Sequence, residues 1–480
     1  MSPTSGTATG LLVDGAWRTG DGEFAVLDKN GGEVAGRVAT PAPAQVTAAL
    51  DSAARAAETD FPVGARARTL RAAAAALRAR RNAVIACYLA ETGFAAADAA
   101  TEFDRTLSVF ELSAQEAERL TGEVVPVQAL PGHENSLCLT QRVPVGLVVA
   151  ISPFNAPLST VAHKLAPAIA AGNAVALKPA QLTPLCAIHL AEALLEAGLP
   201  AGRLQLLCGS GATVGEQIVR HPAVRYVTFT GSTEVGRRIR AACGLARTHL
   251  ELGSNSPTVI WPDADLDHAL PLVVRAGYRK AGQVCTSVQR LLVHERVAAE
   301  VAERLAVLVG ALRYGDTRQD GVEVGPVISE DSARRAETLL ADAVDLGARV
   351  VAGGGVKESL VAPTLLTGLA PEARLSAEEA FAPVVAISTV GSLEEAAGRA
   401  NATRYGLQAG VFTKDLDVAF WFARHLRMGG VIVNDTSSYH PDSMPYGGVK
   451  DSGHGVAGPR YAVDDMSDTR TVVLRLRPPK

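Results

Sequence analysis

The chain is short of aromatic residues, at 5% Phe, Trp and Tyr, and holds only six cysteines, four methionines and three tryptophans among its 480 residues. Six thiols (Cys87, Cys138, Cys186, Cys208, Cys243 and Cys285) are too few for a disulfide scaffold. None sits in a CxxC pair or beside a His cluster, so spacing offers neither a structural zinc site nor a redox dithiol, and no metal is expected. An excess of one charge is also missing. Forty-six Lys and Arg against 50 Asp and Glu leave a net −4 with no basic run, which argues against nucleic acid or a polybasic membrane surface as partner. The longest stretch without Asp, Glu, Lys or Arg runs from Val143 to His163, but Pro144, Pro153, Asn155 and Pro157 punctuate it. A bilayer helix needs about 20 mostly apolar residues without such breaks. Met1 to Thr7 is polar and has no charged start leading into an apolar core. A cytoplasmic protein with no membrane partner is expected.

What the chain does have is 48% hydrophobic residues and enough length for several structural units. The first third is Ala-rich, and spaced apolar positions predict helices over Ala44 to Thr59, Arg66 to Glu91 and Thr101 to Leu120. Leu11 to Trp17 predicts a strand entering a turn, and Glu123 to Arg142 a hairpin split by Pro131-Gly132. From Val145 short apolar runs alternate with helical patterns: strands near 146–151, 173–177, 204–207, 224–229 and 248–252, with helices between them. This is the rhythm of a doubly wound parallel sheet. A second α/β series runs from Pro257 to about Val433, and the alternating tail Thr469 to Leu476 predicts a strand that pairs elsewhere.

Three segments carry chemistry. Cys87, Cys186, Cys208 and Cys243 lie among Ala, Leu and Val, the setting of an inert packed thiol, and Cys138 lies on the hairpin. Cys285, in Gly282-Gln283-Val284-Cys285-Thr286-Ser287, follows a glycine between a helix and a strand, where amide donors can serve a nucleophile. Ser152-Pro153-Phe154-Asn155-Ala156-Pro157 ends a buried parallel strand, where open α/β sheets bind ligands, and Asn155 is placed to donate to an oxyanion or simply to form a turn. Glu251 ends another strand before Gly253. As a carboxylate in an apolar run it is expected to have a raised pKa suited to a general base, or to satisfy backbone amides. Gly209-Ser210-Gly211-Ala212-Thr213-Val214-Gly215 lies between a strand and a helix and suits either a phosphate cradle or a plain turn.

Taken together with Lys178-Pro179-Ala180, Phe229-Thr230-Gly231-Ser232-Thr233-Glu234-Val235-Gly236, Glu378-Glu379-Ala380-Phe381-Ala382-Pro383 and Pro445-Tyr446-Gly447-Gly448-Val449-Lys450-Asp451-Ser452-Gly453, these motifs resemble the aldehyde dehydrogenase superfamily over nearly the whole chain, in the family's order. The resemblance implies an α/β architecture: a Rossmann-type cofactor domain (1–122 and 143–252), an α/β catalytic domain (253–451) and a small β oligomerisation element (123–142 and 467–480) making a homodimer or homotetramer. It implies Cys285 as nucleophile, Asn155 as oxyanion donor and Glu251 as the base that hydrolyses a thioester. Ser152, Pro153, Phe154, Lys178, Ala180, Gln181, Gly211, Gly215, Phe229, Gly231, Ser232, Leu252, Glu379 and Phe381 are implied cofactor contacts.

Departures from the family pattern bear on specificity. Gln181 stands where many NAD users have Glu, so NAD is expected and NADP is left open. Ala382 replaces a usual Gly and implies a tighter nicotinamide site, while Val456-Ala457 replaces Arg-Glu. Retention of Glu251 speaks against the branch that transfers its acyl group to coenzyme A. The Cys285 segment and the tail Tyr461 to Met466 are most similar to members acting on lactaldehyde, succinic semialdehyde, sulfoacetaldehyde and phosphonoacetaldehyde. A small polar aldehyde substrate, the anionic members of that set included, is therefore expected, with Arg105, His163, Thr286 and His440 as candidate contacts. Each also has an ordinary role open to it: a helix salt bridge for Arg105, a core histidine for His163, a solvated loop residue for His440. The alternatives to an oxidoreductase are a non-catalytic cofactor-binding member of the fold and a thiol esterase acting through Cys285.

Overall fold

The computed structural model describes residues 9–477. Met1 to Thr7 and the last three residues of the implied oligomerisation element lie outside the described residues. The alternation that begins at Val145 folds into one sheet. Leu147–Ile151, Ala174–Lys178, Leu204–Leu206, Val224–Thr230 and Arg247–Glu251 run parallel, in the spatial order 204–206, 174–178, 147–151, 224–230, 247–251. Antiparallel strands extend both edges, Leu11–Val13 with Ala16–Arg18 on one side and Gly453–His454 on the other. The chain winds outward in both directions from Leu147–Ile151, so the strand order reverses between it and Val224–Thr230. A crevice opens at their C-terminal ends.

Both faces of this sheet are covered, and period-two alternation decides which side chain meets which layer. Val148 and Ala150 pack with the helices Val63–Ala79, Ala96–Arg119, Ser159–Ala171 and Leu185–Glu196. Leu147, Val149 and Ile151 pack with Pro43–Ala57, Glu216–Arg220 and Thr233–Ala242 on the other face. A second sheet has the order 349–352, 364–367, 384–390, 290–294, 257–260, 408–412, 430–433, parallel except for Arg349–Ala352. The tail strand Ser467–Arg475 pairs along its full length with Ser136–Pro144, which also pairs Val124–Val125. The predicted hairpin and tail therefore meet in one three-stranded sheet.

Three details differ from the sequence expectation. The helix predicted over Arg66 to Glu91 is two, Val63–Ala79 and Arg81–Thr92, broken at Arg80, whose side chain pairs with Glu192 and Glu196 of a neighbouring helix. No Gly or Pro marks that break; a tertiary ion pair and the docking of Glu91 under the helix Leu185–Glu196 favour it. The hairpin Gly22–Leu27 with Val34–Thr40 carried no strong sequence signal. The turn after Leu204–Leu206 is a wide helical turn, Gly211–Gly215, capped by Ser210 before the short helix Glu216–Arg220.

Candidate active site

A cavity of about 1180 Å³ fills the crevice. Cys285, Glu251, Asn155, Ser152, Pro153, Phe154, Lys178, Ala180, Gly211, Gly215, Phe229, Gly231, Ser232, Leu252, Glu379, Phe381, Arg105, His163, Thr286 and His440 all line it. One candidate departs: Gln181 is exposed and outside the lining, because the turn after Ala180 carries it to the surface.

Cys285 is held by an unusual backbone. Lys280, Ala281 and Gly282 all take positive φ, at 53°, 52° and 67°. A Cβ on Gly282 would lie 2.1 Å from the Ala382 carbonyl oxygen, so the close approach as well as the left-handed conformation requires glycine. Two buried anchors fix this turn. Lys280 Nζ pairs with Glu102 and donates 2.9 Å to the Asn155 carbonyl, while Asn155 Nδ2 donates 2.7 Å to the Gln283 carbonyl. Glu102 in turn accepts from the Leu158 and Ser159 amides and from the Tyr88 hydroxyl. The strand end bearing Asn155 and the turn bearing Cys285 are thus tied together, and Asn155 keeps one Nδ2 hydrogen beyond its bond to Gln283. Ala382 itself adopts no positive φ; Phe381 does, at 51°. A side chain at 382 is accommodated for that reason.

Burial pushes the Cys285 thiol up to about 11, opposed by the Tyr446 hydroxyl 3.0 Å from its Sγ and reinforced by the carboxylates of Glu251 and Glu379. The thiol rests protonated and needs a base or a cation to ionise. Glu251 corrects the sequence expectation. Burial alone would raise its pKa, but His249, Lys164 and the Thr230 hydroxyl, 2.8 Å away, outweigh burial and hold it below the usual carboxylate range. Burial keeps the His249 ring neutral, so at neutral pH the charge facing Glu251 is the buried Lys164 ammonium, itself lowered to about 8 by burial. Lys164 carried no sequence signal: it sits mid-helix among alanines.

At the other end of the cavity the helix Thr233–Ala242 presents its N-terminus, with Ser232 as N-cap accepting from the Val235 amide. Helix N-termini favour anions such as a pyrophosphate. A Cβ on Gly231 would meet the Phe229 ring at 2.5 Å, so that approach stays open only for glycine. Ser152 Oγ is buried with no partner, and the Glu379 carboxyl, pushed up to about 7 by burial, accepts from the Ser254 amide. Phe381 meets Phe154 edge-on at 5.7 Å. These groups fit a dinucleotide: a dipole end, an uncommitted polar atom at Ser152, and an aromatic pair in the cavity that Cys285 also lines.

The remaining candidates form a polar cluster. Arg105 donates to Asp442 through Nε and Nη2 at 3.0 and 2.8 Å, and through Nη2 to His440 Nδ1 at 3.0 Å. His163 Nε2 lies 3.1 Å from the same Asp442 oxygen. The salt bridge of Arg105 is therefore made across the fold and not within its helix, and His440 is partly buried, its ring stacked obliquely 4.3 Å from that of Tyr446. Because a guanidinium can only donate, His440 Nδ1 accepts and its hydrogen resides on Nε2, which is buried with no partner, as is His163 Nδ1. Burial, with Arg105 and His163 nearby, pushes His440 down to about 3, so it is a neutral donor. Thr286 Oγ1 lies 3.4 Å from Ser438 Oγ. Asp442, Tyr446 and Ser438 were not singled out from sequence; Asp442 sits in a Pro-Asp-Ser loop that looks like an ordinary turn.

Residues 17–472 match the model of the aldehyde dehydrogenase family. The chain is 41% identical over 467 residues to the 3-sulfolactaldehyde dehydrogenase of Priestia aryabhattai, covering 97% of this chain and 98% of that protein. It is 37% identical over 380 residues to the lactaldehyde dehydrogenase of Methanococcus aeolicus, covering 78% and 80%. Among solved structures it superposes with a TM-score of 0.96 on the NADP-dependent glyceraldehyde-3-phosphate dehydrogenase of Bacillus halodurans complexed with NADP, at 34% identity over 98% of this chain and 100% of that one. Aldehyde dehydrogenase 21 of Physcomitrella patens, in complex with its reaction product succinate, gives 0.95 at 34% identity over 98% and 99%. The chain belongs to the aldehyde dehydrogenase family and is an NAD(P)-dependent oxidoreductase of aldehydes.

Proposed function

We propose that the enzyme oxidises a small aldehyde carrying a distal anionic group, through a thioester on Cys285. The Cys285 thiol gives up its proton to water in the cavity, its sulfur adds to the aldehyde carbon, and the resulting oxyanion accepts hydrogen bonds from the free Asn155 Nδ2–H and the Cys285 backbone N–H. Lys178, Ser232, Glu379 and the Phe154–Phe381 pair would hold NAD(P), which would supply the hydride acceptor. Loss of that hydride leaves a thioester on Cys285. Glu251 takes a proton from water, the hydroxide attacks the thioester carbonyl, and the carboxylic acid leaves as the sulfur is released.

One observation carries the anionic substrate: a buried donor without a partner among the described residues, His440 Nε2–H, stands beside the Arg105 guanidinium in the cavity that holds Cys285. A buried donor left unpaired, as His440 Nε2 is, is costly unless a ligand completes it. The substrates named for the similar proteins, 3-sulfolactaldehyde and glyceraldehyde 3-phosphate, carry such anions. The test is a panel of neutral, carboxylated, sulfonated and phosphorylated short aldehydes, assayed with both NAD and NADP. Arg105→Gln should lower kcat/KM for an anionic aldehyde by about 30-fold or more, roughly 2 kcal/mol, and change a neutral aldehyde of the same length by less than about threefold. Equal losses on both would overturn the reading.

We also propose a homodimer or homotetramer joined through the three-stranded sheet. Among the described residues its edge strand Ser467–Arg475 has no partner on its outer side, and it exposes Val473 and Leu474. Such an edge is a template for a second copy.

A further inference from the structure

Two thiols that the sequence assigns to packing meet outside the active site. Cys87 and Glu91 lie one turn apart on the helix Arg81–Thr92, and Cys186 and His189 one turn apart on the helix Leu185–Glu196. The packing of these helices brings the sulfur atoms of Cys87 and Cys186 and a Glu91 carboxylate oxygen within 4.8 Å of one another. His189 Nδ1 is buried without a hydrogen-bond partner, its nearest charged neighbour being Glu192 at 3.6 Å, which in turn pairs with Arg80. Cys186 is fully buried, whereas Cys87 is partly exposed.

The four residue types could also ligate a metal ion, but both Glu91 oxygens are already engaged, accepting from the Leu185 and Cys186 amides at 2.7 and 3.0 Å at the start of a helix. The thiols and the imidazole are not so engaged. We propose that Cys87 and Cys186 form a peroxide-sensitive thiol pair, with Cys87 as the attacking sulfur and Cys186 as the resolving one. The Cys186 S–H and then the His189 ring bring the Cys87 thiol down against burial, while burial pushes Cys186 up, which favours Cys87 over Cys186 as the attacking sulfur. The Cys87 thiolate attacks one oxygen of hydrogen peroxide and breaks the O–O bond. The departing hydroxide takes the His189 proton and leaves as water, and Cys87 becomes a sulfenic acid. The Cys186 sulfur then displaces that hydroxyl, which leaves as a second water on taking the Cys186 proton, and the sulfurs close from contact to a bond of about 2.05 Å.

The experiment treats the enzyme, with NAD(P) bound, with hydrogen peroxide and maps tryptic peptides without reductant. The expected product links peptide 82–105, holding Cys87, to peptide 165–203, holding Cys186, is two hydrogens lighter than their sum, and is reversed by dithiothreitol. In Cys186→Ser the same dose should leave a Cys87 sulfenic acid that dimedone captures. Free thiols at both positions under a dose that oxidises Cys285 would overturn the proposal. So would stoichiometric zinc on the reduced protein that Cys87→Ser removes, since the cluster would then be a metal site. Neither result depends on which aldehyde the enzyme oxidises.

Discussion

At the scale of single residues, the site works by opposing burial with a few placed charges. Burial by itself would raise the Glu251 pKa, yet His249, Lys164 and the Thr230 hydroxyl outweigh it and hold the carboxyl below the usual range. A base held below its usual range stays competent until the pH falls through that lowered value. Lys164→Met removes the ammonium and weakens the opposition to burial, so the acid limb of acyl-enzyme breakdown should move to higher pH by about one unit. Single-turnover release of the acid between about pH 4 and 8 checks this. Glu251→Gln should abolish that limb along with most of the turnover. An unmoved limb in Lys164→Met would remove the lysine from this role. Cys285, Asn155 and Glu251 were legible in the chain because each stands in a short motif. Lys164 was not, since a lysine mid-helix reads as a solvated face until the packing shows it buried.

At the scale of elements, the nucleophile turn depends on a contact between segments far apart in sequence. The Lys280–Glu102 pair ties Arg279–Gly282 to the helix Ala96–Arg119 and steadies the Asn155 carbonyl. Breaking a buried pair leaves an uncompensated charge, a loss of about 3–5 kcal/mol. Lys280→Met should therefore lower the melting temperature by several degrees and reduce kcat more than it changes KM for cofactor, because the turn that aims Cys285 loosens while the helix N-terminus at Ser232 does not. Thermal unfolding and steady-state kinetics on the same preparation test it. The strands and helices from Val145 to Leu252 were legible from apolar runs and punctuation, since burial on both faces imposes continuous hydrophobic strands. The break at Arg80 was not, because the ion pairs that favour it belong to another helix.

At the scale of the molecule, the exposed edge Ser467–Arg475 gives a prediction about assembly. Light scattering should report a multiple of the 49.8 kDa chain, and Val473→Lys combined with Leu474→Lys should shift the population toward the single chain. No helix among the described residues is long and apolar enough to cross a membrane. The α/β class, the motif order and the choice of Cys285 as candidate nucleophile were readable from the chain alone, because they rest on local periodicity and on residues adjacent in sequence. The electrostatics around Glu251, the Arg105–Asp442–His440 cluster, the exclusion of Gln181 from the cavity and the meeting of Cys87 with Cys186 emerged from the three-dimensional packing. Those depend on distances between residues remote in the chain and on how much water the fold removes from each charge, quantities that no local pattern encodes.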